Sequence, residues 1–582
     1  MSEREDDFRI RPGRPKDHGA SGKAGKRFVN QVMRAAKQAG HTGEGFGPGR
    51  SRSGGRFGRG QARPLRSLRG PGSRRVIVKA RVVRHTGARF RSAPLARHIA
   101  YLGREGVTRD GGPAGMFDSR SDRADTEAFA ERCENDRHHF RFIVSPEDAG
   151  ELQNLRTFTR ELMTDAERDL GTRLDWVAID HWNTDNPHVH VLVRGIAEDG
   201  QDLVISRDYI KEGLRDRAEQ RATLELGPRT RLEIDAALAR DVTAERWTGL
   251  DRKLQRLADD GGAVDLRPGM AEPNRRDEAL LRGRAQKLER MGLAEAVGPA
   301  QWTLKPGLET SLRDLSIRGD IIKTMHRAMS AEGRAPDPAT FALHGNDVAD
   351  PIVGRLVERG LHDELAGSAY AVVDGIDGRS HHLRFDDLEM TGDAKPGAIV
   401  ELRRWQDAKG WDRLSLATRS DLSLGEQVAA PGATWLDRQL VSRTPVTLAG
   451  GFGESVRDAM AARADHLADQ GLARRQAQRI VFARDLLDTL AKREMEDATR
   501  LIGARTGLAH RPSAPGEHVA GTYRERVTLA TGRFAMIDDG LGFQLVPWRP
   551  ALDAHLGRHL SGTMTAAGGV DWNLGRSRSL GL

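Results

Sequence analysis

The chain has 582 residues, a formal net charge of +9 and a pI near 9.8. That length exceeds what one hydrophobic core supports, so several domains are expected, and the basic balance points to a polyanionic partner. A single cysteine, Cys133, excludes an internal disulfide framework and fits a reducing cytoplasm. No charged-then-apolar leader, no apolar run of about 18 residues and no Gly-x-x-x-x-Gly-Lys-Ser/Thr loop occurs, so a secretory signal, a membrane span and a built-in ATP-driven helicase are not expected.

The charge is unevenly placed. Residues 1–75 hold 19 Lys/Arg against 6 Asp/Glu, which leaves the remainder slightly acidic. Residues 1–73 are dominated by Gly, Arg, Ser and Pro, a composition that cannot bury a core and predicts a disordered tail, with a short helix over 26–39. Such a tail suits single-stranded nucleic acid or a solvated linker equally well. Val76 to Val83 alternates as a strand, and Ser92 to Leu102 reads as a helix. Phe140 to Val144 is a second strand, and Ser145-Pro-Glu-Asp148 is a cap-and-first-turn pattern that starts a helix running to about Leu170. With a hairpin at 174–194 and a closing segment from Val204 to about Leu226, residues 74–230 form an α+β layer domain. It has a mainly antiparallel sheet with helices on one side.

Beyond it, residues 240–335 read as winged-helix-like. Helices are expected over Thr243 to Leu257 and Asp277 to Met291, the latter stopped by Gly292, with a hairpin from Leu293 to Leu304. The basic second helix suits a DNA groove, or the module is a plain packing unit. Residues 345–425 suggest a small β-barrel. Residues 430–582 suggest a helical segment (454–508), a terminal hairpin (522–549) and a basic tail. No clear internal repeat is evident.

The most informative stretch is Leu174 to Arg194. Two Val/Ile/Trp-rich runs flank Trp182-Asn-Thr-Asp-Asn-Pro187, a link of turn formers, which makes a β-hairpin. Symmetrical closure sets His181 opposite His188, and the two-residue pleat puts His190 on the same face. Three converging imidazoles make a metal site with open positions for substrate. A polar solvent-facing edge is the plainer alternative. Neutral imidazoles accept Mn, Fe, Co, Ni or Zn, while Mg prefers oxygen, so the identity of the ion is open; Mn or Mg is the expected ion in use, with Zn possible. Beside a basic arm, the substrate group is a phosphate, whose scissile bond a divalent ion would polarise.

Such a site needs a nucleophile. Tyr101 ends its helix, with Arg97, Arg104 and Arg109 around it in sequence to hold phosphates. Its phenol, with an ordinary pKa of about 10, requires a base or the metal's field. A packing role is the plainer alternative for a tyrosine at a helix end.

Tyr101-Leu-Gly-Arg-Glu-Gly106, Phe142-Ile-Val-Ser145 and His181-x-Asn-x-x-Asn-Pro-His-x-His190 occur in the order of the three motifs of conjugative relaxases. The chain resembles the mobilization-nuclease branch that includes the T-DNA border endonuclease, in the HUH class named for paired histidines such as His188-Val189-His190. The resemblance implies a metal-dependent nick in single-stranded DNA at a transfer origin, with a tyrosine linked to the 5′ phosphate and later used for rejoining. On it, Tyr101 falls at the nucleophile, His188 and His190 at metal ligands, and Ser145 near bound DNA. The branch carries His-x-Asp-x-x-His-Pro-His-x-His, whereas this chain has Asn183 and Asn186, which leaves Asp185 or His181 to activate Tyr101. Residues from about 240 onward resemble, more loosely, the long domain of undefined function often fused to such relaxases. The closing Gly575 to Leu582 resembles basic tails recognised for type IV secretion. Accessory relaxosome proteins and a coupling protein are then expected partners, in a bacterial cytoplasm. The competing readings are a rolling-circle initiator, an inactive DNA-binding regulator and a transfer-complex scaffold.

Overall fold

The computed structural model describes Arg59, residues 72–85, scattered positions between 95 and 112, and residues 114–573 apart from 183–185, 271–274, 332, 334–336, 346–347, 349–350, 364, 408–409 and 477–478. The chain is α+β and divides into two compact units, residues 1–317 and 318–582. Among the described residues no helix is long and apolar enough to cross a membrane.

In the first unit, β1 (Val76–Arg84), α1 (Thr126–Arg132), β2 (His138–Pro146), α2 (Leu155–Leu170), β3 (Trp176–His181), β4 (His188–Arg194) and α3 (Leu214–Leu226) build an antiparallel sheet ordered β1-β2-β4-β3. Period-two alternation sends Val76, Phe140, Phe142, Val144, Val189, Val191 and Trp176 to one face. There they pack against Leu155, Phe158 and Leu162 of α2 and Leu214 and Ala218 of α3. Each fully buried Leu or Phe contributes about 1.5–3 kcal/mol.

The helix expected with Ser145 as its cap starts nine residues later. Ser145 and Pro146 are the last rungs of β2, paired with Ile77 and Val76. Asn154 is the real cap, accepting from the backbone N–H of Arg156 and Thr157, and Gly171 in the left-handed conformation ends the helix. The expected disordered tail also needs correcting at one point. Arg59 pairs with Val204 and Ser206 through its backbone, and its guanidinium binds Asp199. The remainder of the tail up to residue 71, the 26–39 helix and the closing basic segment lie outside the described residues. So does most of the Ser92–Leu102 helix, of which Leu95, His98, Ile99 and Leu102 are helical and buried.

α4 (Arg231–Thr243), α5 (Gly249–Leu257), β5 (Ala263–Asp265), α6 (Arg275–Arg290), β6 (Ala294–Gly298) and β7 (Gln301–Leu304), with sheet order β5-β7-β6, follow in winged-helix sequence. The helix expected over Thr243–Leu257 starts only at Gly249, because Thr248 and Asp251 form a capping box that begins α5 afresh, while Thr243 is the last residue of α4. Leu308 and Leu312, at the start of α7 (Leu308–Ala331), complete this core.

In the second unit, β8 (Phe341–Leu343), β9 (Val353–Asp363), β10 (Ser368–Gly375), β11 (Ser380–Phe385), β12 (Ile399–Gln406) and β13 (Asp412–Ser420) form a sheet ordered β13-β12-β9-β10-β11-β8. It is open, with β13 and β8 as edges, so the expected barrel is corrected. Then come α8 (Leu424–Ala429), α9 (Trp435–Leu440), α10 (Phe452–Asp469), β14 (Ala473–Gln476), β15 (Arg479–Phe482) and α11 (Leu486–Thr506). The helical segment expected over 454–508 is thus split by a hairpin. The terminal hairpin is part of a five-stranded sheet of β16 (His518–Thr528), β17 (Arg533–Asp538), β18 (Phe543–Pro547), β19 (His559–Met564) and β20 (Val570–Trp572), ordered β18-β17-β16-β19-β20.

The expectation of no internal repeat is overturned. The strand order β13-β12-β9-β10-β11 is matched by β20-β19-β16-β17-β18. Gly354 and Gly521 hold equivalent places, where a Cβ would lie 2.2 and 2.4 Å from the carbonyl oxygens of Asp374 and Asp538. The helical parts share a buried ion pair. The Arg284 guanidinium reaches Asp251 at 2.7 and 2.9 Å and donates to the carbonyls of Val242, Ala244 and Arg246. The Arg463 guanidinium reaches Asp437 at 2.8 and 2.9 Å and donates to those of Val428, Ala430 and Gly432. The accepting carbonyls stand nine, seven and five residues before the aspartate in both copies.

Candidate metal centre

The hairpin closes in the register that its turn length implies, with His181 opposite His188 and His190 opposite Ile179. A slip of one residue would have turned His188 and His190 toward α2. Instead all three imidazoles stand on the sheet face away from the apolar core. Their ring centroids are 4.6 to 5.4 Å apart, and they are 4, 8 and 3% exposed for His181, His188 and His190. One nitrogen from each lies within 4.8 Å of the others.

The donor set fits a divalent ion. His188 Nδ1–H donates to the Asn186 carbonyl at 2.9 Å, which leaves Nε2 as the ligand atom. That Nε2 is 3.1 Å from His190 Nε2. Two nitrogens held about 2.0–2.1 Å from one tetrahedral ion stand about 3.3 Å apart, so little movement is needed to share one. Ile143 and Ile179 flank His190 on the neighbouring strands and are buried. The low-polarity walls strengthen any charge interaction made there.

Ser145 belongs to this group. It lies two residues beyond Ile143 on the same face, and its Oγ donates to the Pro187 carbonyl at 3.3 Å, at the entry to His188. Asp180 does not: one pleat position away, it faces α2 and binds the Arg156 guanidinium and the Trp182 indole. Arg109, grouped in sequence with the phosphate-holding arginines, is committed elsewhere. It donates to the Leu152 and Gly150 carbonyls and lies over the Trp182 ring at 5.4 Å. Tyr101, Asp185, Arg97 and Arg104 lie outside the described residues. The other tyrosines are engaged: Tyr209 is buried against Asp169, which together with desolvation raises its pKa, Tyr370 binds Glu358, and Tyr523 is buried.

Sequence reasoning missed a second polar row on the same face. His139, Arg141, Ile143 and Ser145 alternate along β2, and Arg141 sits opposite Leu192, one pleat step from the Ile143–His190 pair. Arg141 Nε donates to His139 Nε2 at 3.1 Å, so that nitrogen is unprotonated. His139 Nδ1 therefore carries the proton and donates to His85 Nε2 at 2.7 Å, and His85 Nδ1 donates to the Asp136 carbonyl at 2.8 Å. Burial, reinforced for His139 by the Arg141 charge, lowers both pKa values and keeps both rings neutral. The His138-His139 pair followed by Arg141 at period two was the available signal.

A family described as "Protein of unknown function (DUF3363)" has a model that matches residues 281–414 and 403–581, just over half of the chain and all of it beyond the histidine face. No curated protein and no solved structure matches the chain.

Proposed function

The chain belongs to that family of unknown function, and we propose that its N-terminal module is a relaxase, a metal-dependent nuclease that nicks single-stranded DNA at a transfer origin. The observation that carries the reading is the convergence of His181, His188 and His190 beside Ser145, on a sheet face whose other polar groups are fixed in place. A divalent ion such as Mn held by these imidazoles would polarise the scissile phosphate and offset charge in the transition state.

In this mechanism the three rings would hold the phosphate's counter-ion, and the Ser145 hydroxyl, at the entry to His188, would help position the strand. Tyr101 attacks phosphorus through its phenolic oxygen. The new bond is tyrosine oxygen to phosphorus, the broken one is phosphorus to the 3′ oxygen, and the leaving oxygen takes up a proton as a 3′ hydroxyl. With His181 used as a ligand, Asp185 accepts the phenolic proton, and Arg97 and Arg104 hold flanking phosphates. The reverse attack by a 3′ hydroxyl rejoins the strand and frees the tyrosine. Transfer of the DNA by a type IV system, with accessory proteins at the origin, is the setting this chemistry serves.

The test incubates the full chain with Mn or Mg and a single-stranded origin oligonucleotide. A denaturant-resistant adduct is expected, lost in Tyr101→Phe and in His188→Ala/His190→Ala. An adduct that survives Tyr101→Phe removes the nucleophile. An oligonucleotide that is retained but never cut under any divalent ion makes the chain a regulator or scaffold instead.

A further inference from the structure

The duplicated helical modules present one helix face twice, with opposite chemistry. On α6 the exposed residues at successive turns include Arg276, Ala279, Gln286 and Arg290; on α10 the equivalent positions, counted from the paired Arg284 and Arg463, are Ser455, Asp458, Asp465 and Asp469. All eight are exposed. The buried sides are near copies, since Arg284-Ala285-x-x-Leu288-x-x-x-Gly292-Leu293-Ala294 recurs as Arg463-Ala464-x-x-Leu467-x-x-x-Gly471-Leu472-Ala473. One scaffold is therefore kept while its outward face changes sign.

We propose that α6 is a duplex-DNA docking helix and that α10, its duplicate, has lost that role. In a winged-helix order the third helix enters the major groove while a preceding helix meets the backbone. Arg276 and Arg290 bracket the small Ala279 and the amide of Gln286, so the helix can approach a groove closely, with charges at both ends for phosphates or guanine and an amide for adenine. α5 adds Arg252 and Arg256, both exposed. The acidic residues of this face are drawn aside: Glu289 accepts from the Trp302 indole at 2.9 Å, and Asp277 from Lys253 at 3.2 Å. Asp235 holds Arg276 from α4, an ion pair that a phosphate would have to displace. On α10, Asp458, Asp465 and Asp469 would repel a phosphate backbone. Among the exposed basic residues of that copy, Arg457 of α10 donates to the Leu448 carbonyl, Arg438 of α9 to the Thr531 carbonyl, and Arg475 of the hairpin binds Asp465.

The experiment uses the full chain and a mixed-sequence 30-base-pair duplex, with the same sequence single-stranded in a parallel arm. Arg276→Glu/Arg290→Glu should lower duplex affinity by about tenfold or more at 0.1 M salt and flatten the salt dependence by about two contacts. Lys492→Glu/Arg500→Glu, an equal charge change on the exposed face of α11, should do neither, and circular dichroism checks that all variants fold. An equal loss in both pairs, or none in the first, overturns the proposal; a loss confined to the single-stranded arm overturns it in favour of a strand-binding face. Adduct formation on the single-stranded origin should be unchanged in Arg276→Glu/Arg290→Glu, so failure of the docking helix and failure of the nicking chemistry are separate results.

Discussion

The histidine face of the first unit and the two Arg–Asp cages of the duplicated modules both bury polar side chains, and they satisfy them in opposite ways. In the cages, donors match acceptors: each guanidinium is used up by a carboxylate and three carbonyls, and each carboxylate also caps its own helix through Thr248 or Thr434. On the histidine face, ring nitrogens converge on one another. Full satisfaction marks a residue that holds the fold, and convergence of like ligand atoms marks a place built for something else.

The sharpest way to break this contrast is to empty a cage. Arg284→Met leaves the buried Asp251 and three carbonyls without their partner and should cost about 3–5 kcal/mol, as should Arg463→Met against Asp437. Denaturant melts of the full chain, followed by hydrogen exchange in each module, would show it; a loss under 1 kcal/mol would make the cages ornamental. On the histidine face the expected sign differs. His188→Ala should leave the melt in chelator nearly unchanged but abolish the gain that saturating Mn or Zn gives the parent, about 2.7 kcal/mol at a concentration 100 times the dissociation constant. A metal shift that persists would place the ion elsewhere.

The smallest effect tests the His85–His139 row, which resembles a cage in being fully matched. Burial depresses both pKa values, so below the ordinary histidine pKa of about 6.5 the unfolded chain takes up protons that the folded one refuses. Stability should thus be intact above that value and fall as pH drops below it. Histidine nitrogen NMR should show both rings neutral with the proton on Nδ1 at pH 6, and charged rings there would undo the proton chain drawn from Arg141.

Much of the candidate site was legible because local rules fix it. Six turn-forming residues between two β-rich runs set the register, and the pleat does the rest for His181, His188 and His190. Ser145 was misread because Ser-Pro-Glu-Asp is also a helix start. Strand pairing with Val76 and Ile77 claimed those residues, and Asn154 supplied the cap. The repeat escaped notice although Thr248-x-Leu-Asp-Arg-x-Leu254 recurs as Thr434-x-Leu-Asp-Arg-x-Leu440. Asp251 and Arg284 are 33 residues apart but Asp437 and Arg463 only 26, so no fixed period aligns the copies.

The sequence by itself determined the strands around the histidines, the hairpin register and the charge carried by each helix, since these depend on neighbours a few residues away. Tertiary structure alone decided that the large sheets stay open, that Arg109 serves carbonyls instead of facing the histidines, and that Arg284 and Arg463 fill identical cages. Each of those outcomes depends on which distant backbone groups are left needing a partner once the chain has packed.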